Sequence, residues 1–385
     1  MLSNVKKLVK LSYIKKLHGH MEADNGFIQV LLGPRQVGKT TSTLHLLSQH
    51  FKATSDYISL EKVFNPGPEF IVENWSRAHK DKKILVIDEI QKCESWSETI
   101  KFLYDENKRL GIKTRVVLLG SSSLEIQKGL TESLTGRFQL IQAHHWNFDE
   151  SNRGYKLSLD ECLKFGGYPG SYPLIEQHDS WVEYLKNSIV GTVVEKDILQ
   201  YQSVRSPALF RQAFEIIVGY PAQEISYTKL LGQIQDRGNV ELVKHYLRLY
   251  EGAFLIKTIE KYSNKIVKTK TSSPKILPLA PCLYYLTVID DYQSDEQGRA
   301  FELLVGAQLV RTGWPLYYWR QGKDEVDFVL KKGRRLWAIE VKSGRKKSAK
   351  GLMKFKTEFP QASPVIITKD NYIQFEKDPL AFLER

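Results

Sequence analysis

Residues 26 to 41 read GFIQVLLGPRQVGKTT. An apolar run interrupted only by Gln29 ends in Gly33, four residues intervene, and Gly38, Lys39 and Thr40 open a stretch with helical spacing through Leu44, Leu46 and Leu47. A run apolar on both faces belongs to a parallel strand covered on both sides, so the pattern requires an α/β sheet with a sharp turn and a helix after its first strand. Such a turn is also a device for holding phosphate. Its glycines let backbone N–H groups curl around the β- and γ-phosphates, Lys39 adds a mobile positive charge, and the Thr40 hydroxyl can ligate Mg²⁺. Gly33, Pro34, Arg35, Gln36, Val37, Gly38, Lys39, Thr40 and Thr41 are therefore the expected nucleotide contacts, with ATP and Mg²⁺ as ligands. A glycine-rich turn that fits this spacing by accident would leave the next motif unexplained.

That motif is KKILVIDEIQKC, residues 82 to 93, a second buried strand ending in Asp88 and Glu89. Strand ends are where parallel sheets place ligands. Asp88 is positioned to hold the metal through water and Glu89 to polarise an attacking water, which implies hydrolysis as well as binding. A third apolar run, TRVVLLGSSS at residues 114 to 123, ends in hydroxyls, and Ser121 or Ser122 could sense the γ-phosphate from a neighbouring strand.

In this order the pieces resemble the AAA-type ATPases, and within them a prokaryotic group whose phosphate loop reads GPRQVGKT. SLTGRF at residues 133 to 138 and GGYP at residues 166 to 169 have counterparts in that group. The resemblance implies that Arg137 is an arginine finger reaching a neighbour's γ-phosphate in a homo-oligomeric ring. It also implies that Gly167, Tyr168 and Pro169 contact nucleotide at the start of a helical lid. A surface arginine and a helix-capping turn are the plainer alternatives.

Composition bounds the rest. A chain of 385 residues exceeds one typical core. No apolar run approaches a membrane span and the N-terminal stretch lacks a secretory pattern, so a cytoplasmic protein is expected. Three scattered cysteines, Cys93, Cys162 and Cys282, indicate neither a disulfide framework nor a zinc site. A formal charge of +12 favours an acidic polymer as partner, nucleic acid before anionic membrane.

From Trp181 to about Gly219 the spacing is helical. Residues 226 to 260 then read as two short helices around a DRGN turn, followed by strand-like FLIKTIEKY. The arrangement resembles a winged helix-turn-helix, with Lys244, His245 and Arg248 on the second helix where DNA-reading side chains sit. Docking to another protein is the alternative use. Residues 268 to 281, KTKTSSPKILPLAP, look like a linker.

Near the C-terminus, EVDFVLKKGRRLWAIEVKSG at residues 325 to 344 reads as a hairpin that carries Asp327, Glu340 and Lys342 among β-branched and aromatic residues. Glu340 and Lys342 share one face, while Ile339 and Val341 share the other. An edge hairpin with solvated charges is the bland alternative. A helical pattern containing Glu302 precedes it and SPVIITKD follows. Glu302, Asp327 and the Glu340-x-Lys342 pair resemble the restriction-endonuclease-like PD-(D/E)XK core, and the arrangement in archaeal Holliday-junction resolvases. That resemblance implies a Mg²⁺-dependent DNA endonuclease with Asp327 and Glu340 as metal ligands and branched or duplex DNA as substrate. The nine Lys or Arg between Lys331 and Lys350 would suit a phosphate backbone beside the metals. One departure is that the strand before the Glu302 helix usually carries an acidic residue, and KILPLAPCLYYL has none.

The expected organisation is α/β throughout. It comprises an AAA-type P-loop ATPase core (residues 1–150), a helical lid (151–205), a winged helix-turn-helix (206–267), a linker (268–284) and a restriction-endonuclease-like domain (285–385). The competing functions are a DNA-processing ATPase with a live endonuclease, an ATP-dependent nucleic-acid-binding regulator with a silent nuclease fold, and a signalling ATPase that docks a protein.

Overall fold

The computed structural model describes residues 8–23, 25–121, 124–199, 204, 206–234, 239–263, 272–344 and 349–385. They fall into two compact units, residues 1–144 with 186–203, and residues 145–185 with 204–385. No helix among the described residues is long and apolar enough to cross a membrane.

The first unit is built on a five-stranded parallel sheet. In chain order the strands are β1 (Ile28–Gly33), β2 (Ser55–Ser59), β3 (Ile84–Asp88), β4 (Val116–Ser121) and β5 (Phe138–Gln142), and in space β2-β3-β4-β1-β5. Every residue of β1 and of β3 is buried, as their largely apolar runs require, Gln29 and Asp88 included. The register aligns Gly33 with Ser121 and Ser59 with Asp88, so β1, β3 and β4 end at one edge of the sheet. There the Lys39–His50 helix begins, packed by Leu46 and Leu47.

The second unit holds a seven-stranded mixed sheet of β6 (Gln223–Glu224), β7 (Ile256–Lys261), β8 (Lys275–Pro278), β9 (Leu316–Gln321), β10 (Asp324–Lys332), β11 (Arg335–Lys342) and β12 (Ala362–Thr368), ordered β12-β11-β10-β9-β7-β8-β6. The β10–β11 hairpin is antiparallel, as expected, while β11–β12 and β7–β9 pair in parallel. Phe328, Leu330, Trp337, Ile339 and Val341 pack on one side against the Ser294–Val310 helix. Val326, Val329, Leu336 and Ala338 pack on the other against Leu352 and Phe355 of the Lys350–Glu358 helix. Gly306 lets the Ser294–Val310 helix lie close, since a Cβ there would stand 2.7 Å from Phe328 and 2.8 Å from Leu277.

Two expected boundaries differ. Residues 151–205 are not one lid, because 145–185 belong with the second unit and 186–203 with the first. The supposed linker also carries structure, namely the fully buried β8 and a helix over Pro281–Tyr285. Its prolines, which suggested a linker, stand at the end of β8 and at the first position of that helix, where no backbone N–H is needed.

Candidate functional site

The nucleotide site grows from the C-terminal edge of the first sheet. Gln36 and Gly38 take positive φ of 60° and 89°, the curled conformation that turns successive N–H groups inward. Val37 is fully buried, and its carbonyl accepts a hydrogen bond from Tyr13 at 3.2 Å, which ties the loop to the Ser12–Ala23 helix. Lys39 donates to the carbonyls of Gly33 (2.9 Å) and Pro34 (2.7 Å). Burial pushes its ammonium down to about 8, although Glu89 pulls the other way. Thr41 is exposed on the following turn.

Thr40 Oγ1 donates to Asp88 Oδ2 at 2.7 Å, and Tyr57 donates to the same oxygen at 2.7 Å. Asp88 Oδ1 accepts from the Glu89 backbone N–H at 2.9 Å. A hydroxyl and a carboxylate in contact form a hard-oxygen donor set that fits Mg²⁺. Glu89 sits in the left-handed region at φ 54°, a strained conformation for a non-glycine residue and one that re-aims its side chain past the strand end. Burial raises its carboxyl above the ordinary range, partly offset by Arg35, and Gln91 donates to it.

Sequence reasoning missed the partner of Arg35. Asp197, on the Val193–Leu199 π-helix, accepts from Arg35 Nε at 2.7 Å through both carboxylate oxygens, and Arg35 Nη2 stands 2.7 Å from Oδ1. Asp197 is 1% exposed. A lone Asp in VVEKDIL carries no local signal of such a reach.

Other expected nucleotide residues are placed less simply. Ser121 ends β4 in register with Gly33, and Ser122 lies outside the described residues. Arg137 pairs within its own chain, with Nε at 2.8 Å from Asp105 Oδ1 and Nη2 at 2.9 Å from Oδ2. Tyr168 is fully buried in the second unit with its hydroxyl 3.0 Å from His145 Nε2, and Pro169 is buried beside it. The GGYP segment is thus a packing element here, and a Cβ on Gly167 would meet Ala280 at 2.4 Å.

The second unit gathers the charges expected at the C-terminus. The β9–β10 register slips by one residue between Val326 and Val329, a bulge that turns Asp327 out of the ladder. Asp327 Oδ2 then accepts from the Val341 N–H at 2.7 Å, beyond Ile339, where the β10–β11 ladder ends. Glu340 and Lys342 share a face and pair at 2.7 Å. Glu340 is 8% exposed, and its Oε2 is buried without a hydrogen-bond partner. Burial, and then Asp327, push its carboxyl above the ordinary range.

Glu302 does not join these groups through shared metal-binding geometry. It pairs at 2.7 Å with Lys275 of β8, a residue that is 1% exposed. Lys275 also lies 3.3 Å from Glu325 Oε1 and 3.2 Å from the Asp327 carbonyl. Among the described residues no three His, Cys, Asp or Glu side chains are grouped to hold a metal. Of the two residues expected to hold Mg²⁺, Glu340 has one oxygen paired with Lys342, and the Asp327 carboxylate accepts from the Val341 N–H. The basic run does not flank this site as a block either. Lys331, Lys332, Arg334 and Arg335 stand at the hairpin turn, roughly 13 Å along the strands at 3.3 Å per residue, and residues 345–347 lie outside the described set.

In the helix–turn–helix region, the Tyr227–Ile234 and Val240–Gly252 helices precede the antiparallel β7–β8 pair. Lys244 is engaged by Glu241 at 2.8 Å and lies over the Tyr227 ring, His245 is half-buried, and Arg248 is exposed.

Comparison with known proteins agrees with the first unit's geometry. Residues 25–152 match a family described as an AAA domain, whereas residues 156–286 and 297–382 match two families each described as a domain of unknown function. The chain is 28% identical over 330 residues to the uncharacterized protein MJ1544 of Methanocaldococcus jannaschii, covering 79% of this chain and 72% of that one. It is 26% identical over 327 residues to the uncharacterized protein Rv2008c of Mycobacterium tuberculosis, covering 82% and 70%. Among solved structures, the Walker-type ATPase paby2304 of Pyrococcus abyssi is 15% identical with a TM-score of 0.51, covering 74% of this chain and 99% of that one, a likeness of fold. The chain thus carries a P-loop ATPase domain of the AAA type.

Proposed function

We propose that this protein hydrolyses ATP in its first unit and engages DNA with its second, where a winged helix-turn-helix and a restriction-endonuclease-like core share one sheet. The reading is carried by the cluster of Lys39, Thr40, Asp88 and Glu89 at one sheet edge. In hydrolysis, Lys39 exchanges its two carbonyl contacts for phosphate oxygens, and inward N–H groups near Gln36 and Gly38 bind the remaining charge. Thr40 and Asp88 would hold Mg²⁺, which supplies charge neutralisation on the phosphates. Glu89, its carboxyl raised by burial, orients and deprotonates the attacking water. The DNA assignment is supported by the net charge of +12, by the order of two short helices and an antiparallel strand pair, and by the hairpin, helix and parallel strand around Asp327 and Glu340.

A second reading, in which Glu302, Asp327, Glu340 and Lys342 cleave DNA, is favoured by the orphaned Glu340 Oε2 and opposed by the pairing of Glu302 with Lys275. One experiment separates the two. Purified protein is incubated with labelled linear, forked and four-way DNA, with Mg²⁺ or EDTA, with and without ATP, and phosphate release is measured in parallel. Expected are ATP turnover, DNA binding that weakens steeply with salt, and intact DNA. Strand cleavage lost in Asp327→Asn would establish the second reading, and absence of any DNA binding would overturn the first.

A further inference from the structure

β8 carries chemistry that the expected function leaves unused. Lys275 is 1% exposed, in a strand otherwise made of Ile276, Leu277 and Pro278. A lysine is almost never buried so completely unless its charge is matched. Here the match is complete in number. The ammonium has three N–H donors, and three acceptors surround it: Glu302 Oε1 at 2.7 Å, Glu325 Oε1 at 3.3 Å and the Asp327 carbonyl at 3.2 Å. Its open side faces the Phe328 ring, 5.2 Å from the centroid.

The contacts come from three separate elements. Glu302 rides on the Ser294–Val310 helix, Glu325 and Asp327 flank the bulge of β10, and Lys275 reaches them from β8. This is the work a divalent cation performs where carboxylates from several elements converge. A divalent cation differs in needing about six oxygen ligands. An ammonium already among these oxygens removes ligands and adds repulsion.

We infer that Lys275 is the resident cation of the pocket formed by Glu302, Glu325 and Asp327, and that it neutralises the pocket from within so that no divalent metal binds there. The inference stands on the second unit alone and is independent of ATP hydrolysis and of DNA binding.

Nucleotide-free full-length protein is titrated with Mn²⁺ at pH 7.5, and free Mn²⁺ is read by electron paramagnetic resonance. The parent should show no carboxylate-pocket site tighter than about 1 mM, the weak end of protein oxygen sites. Lys275→Met, which keeps an unbranched apolar stem and removes the charge, should gain one Mn²⁺ per chain at least about tenfold more tightly bound, and Glu302→Gln added to it should abolish the gain. A parent site below about 1 mM that disappears in Asp327→Asn overturns the inference even if Lys275→Met fails to fold. So does a Lys275→Met protein that retains ATP turnover and binds no more Mn²⁺ than the parent.

Discussion

Replacing Arg35 by Met should cost the first unit more than any other single change in the phosphate loop, and the reason lies in its partner. Asp197 is 1% exposed and takes the guanidinium through both of its oxygens at 2.7 Å, whereas the Arg35 side chain is 24% exposed. Removing Arg35 takes the guanidinium away from a carboxylate that is 1% exposed, and breaking one side of a buried pair costs about 3–5 kcal/mol. Asp197→Asn is milder, roughly 2 kcal/mol, because the guanidinium can turn toward solvent and the amide still accepts one hydrogen bond. Combining the two should recover most of the loss, giving a coupling of about 2 kcal/mol or more. The assay is urea unfolding of the transition that ATP and Mg²⁺ shift in the parent, with midpoints compared at constant slope. A loss below about 1 kcal/mol for Arg35→Met, or additive single changes, would refute the view that this pair fastens the π-helix to the phosphate loop.

Glu89→Gln should retain ATP affinity and slow phosphate release by roughly 10²- to 10⁴-fold, whereas Lys39→Ala should lose fluorescent-nucleotide binding outright. Arg137→Ala and Asp105→Ala should behave alike, changing turnover less than about threefold, since each removes the same half-exposed ion pair; loss of turnover in Arg137→Ala alone would reinstate a role on a neighbouring copy. Glu376 accepts from the backbone of Phe148 and Asp149 and from Tyr372, and burial raises its carboxyl above the ordinary 4.5. The folded state therefore holds its proton to higher pH than the unfolded state, and stability from this group falls as pH rises through that window. The urea midpoint of Glu376→Gln, relative to the parent, should rise between about pH 4.5 and pH 7, and a flat difference would contradict the assignment.

The first unit was legible because both of its signals are local. A strand apolar at nearly every residue announces a covered parallel sheet, and Gly33, Gly38, Lys39 and Thr40 occur in one continuous turn whose backbone does the binding. The C-terminal hairpin was legible for the same reason, since period-two alternation put Glu340 with Lys342 and left Ile339 and Val341 on the core side. What sequence could not disclose were contacts between distant elements. Lys275 looked like part of a solvated linker because it follows Thr, Ser and Pro, yet Glu302, twenty-seven residues on, holds it in the core. Arg137 looked available because nothing nearby pairs with it, whereas Asp105 lies on a different helix. The bulge at Asp327 has no glycine to mark it.

The pairing of β7 with β9, Glu260 opposite Tyr317 and Lys261 opposite Tyr318, crosses the line between the segments 156–286 and 297–382 that are catalogued as separate domains. The two are mechanically one sheet and cannot be traded singly. A chimera joined between them would set a foreign strand edge against β9 and would also take away Lys275, the ammonium that reaches Glu302 among the described residues. A shuffled gene would have to carry both segments together.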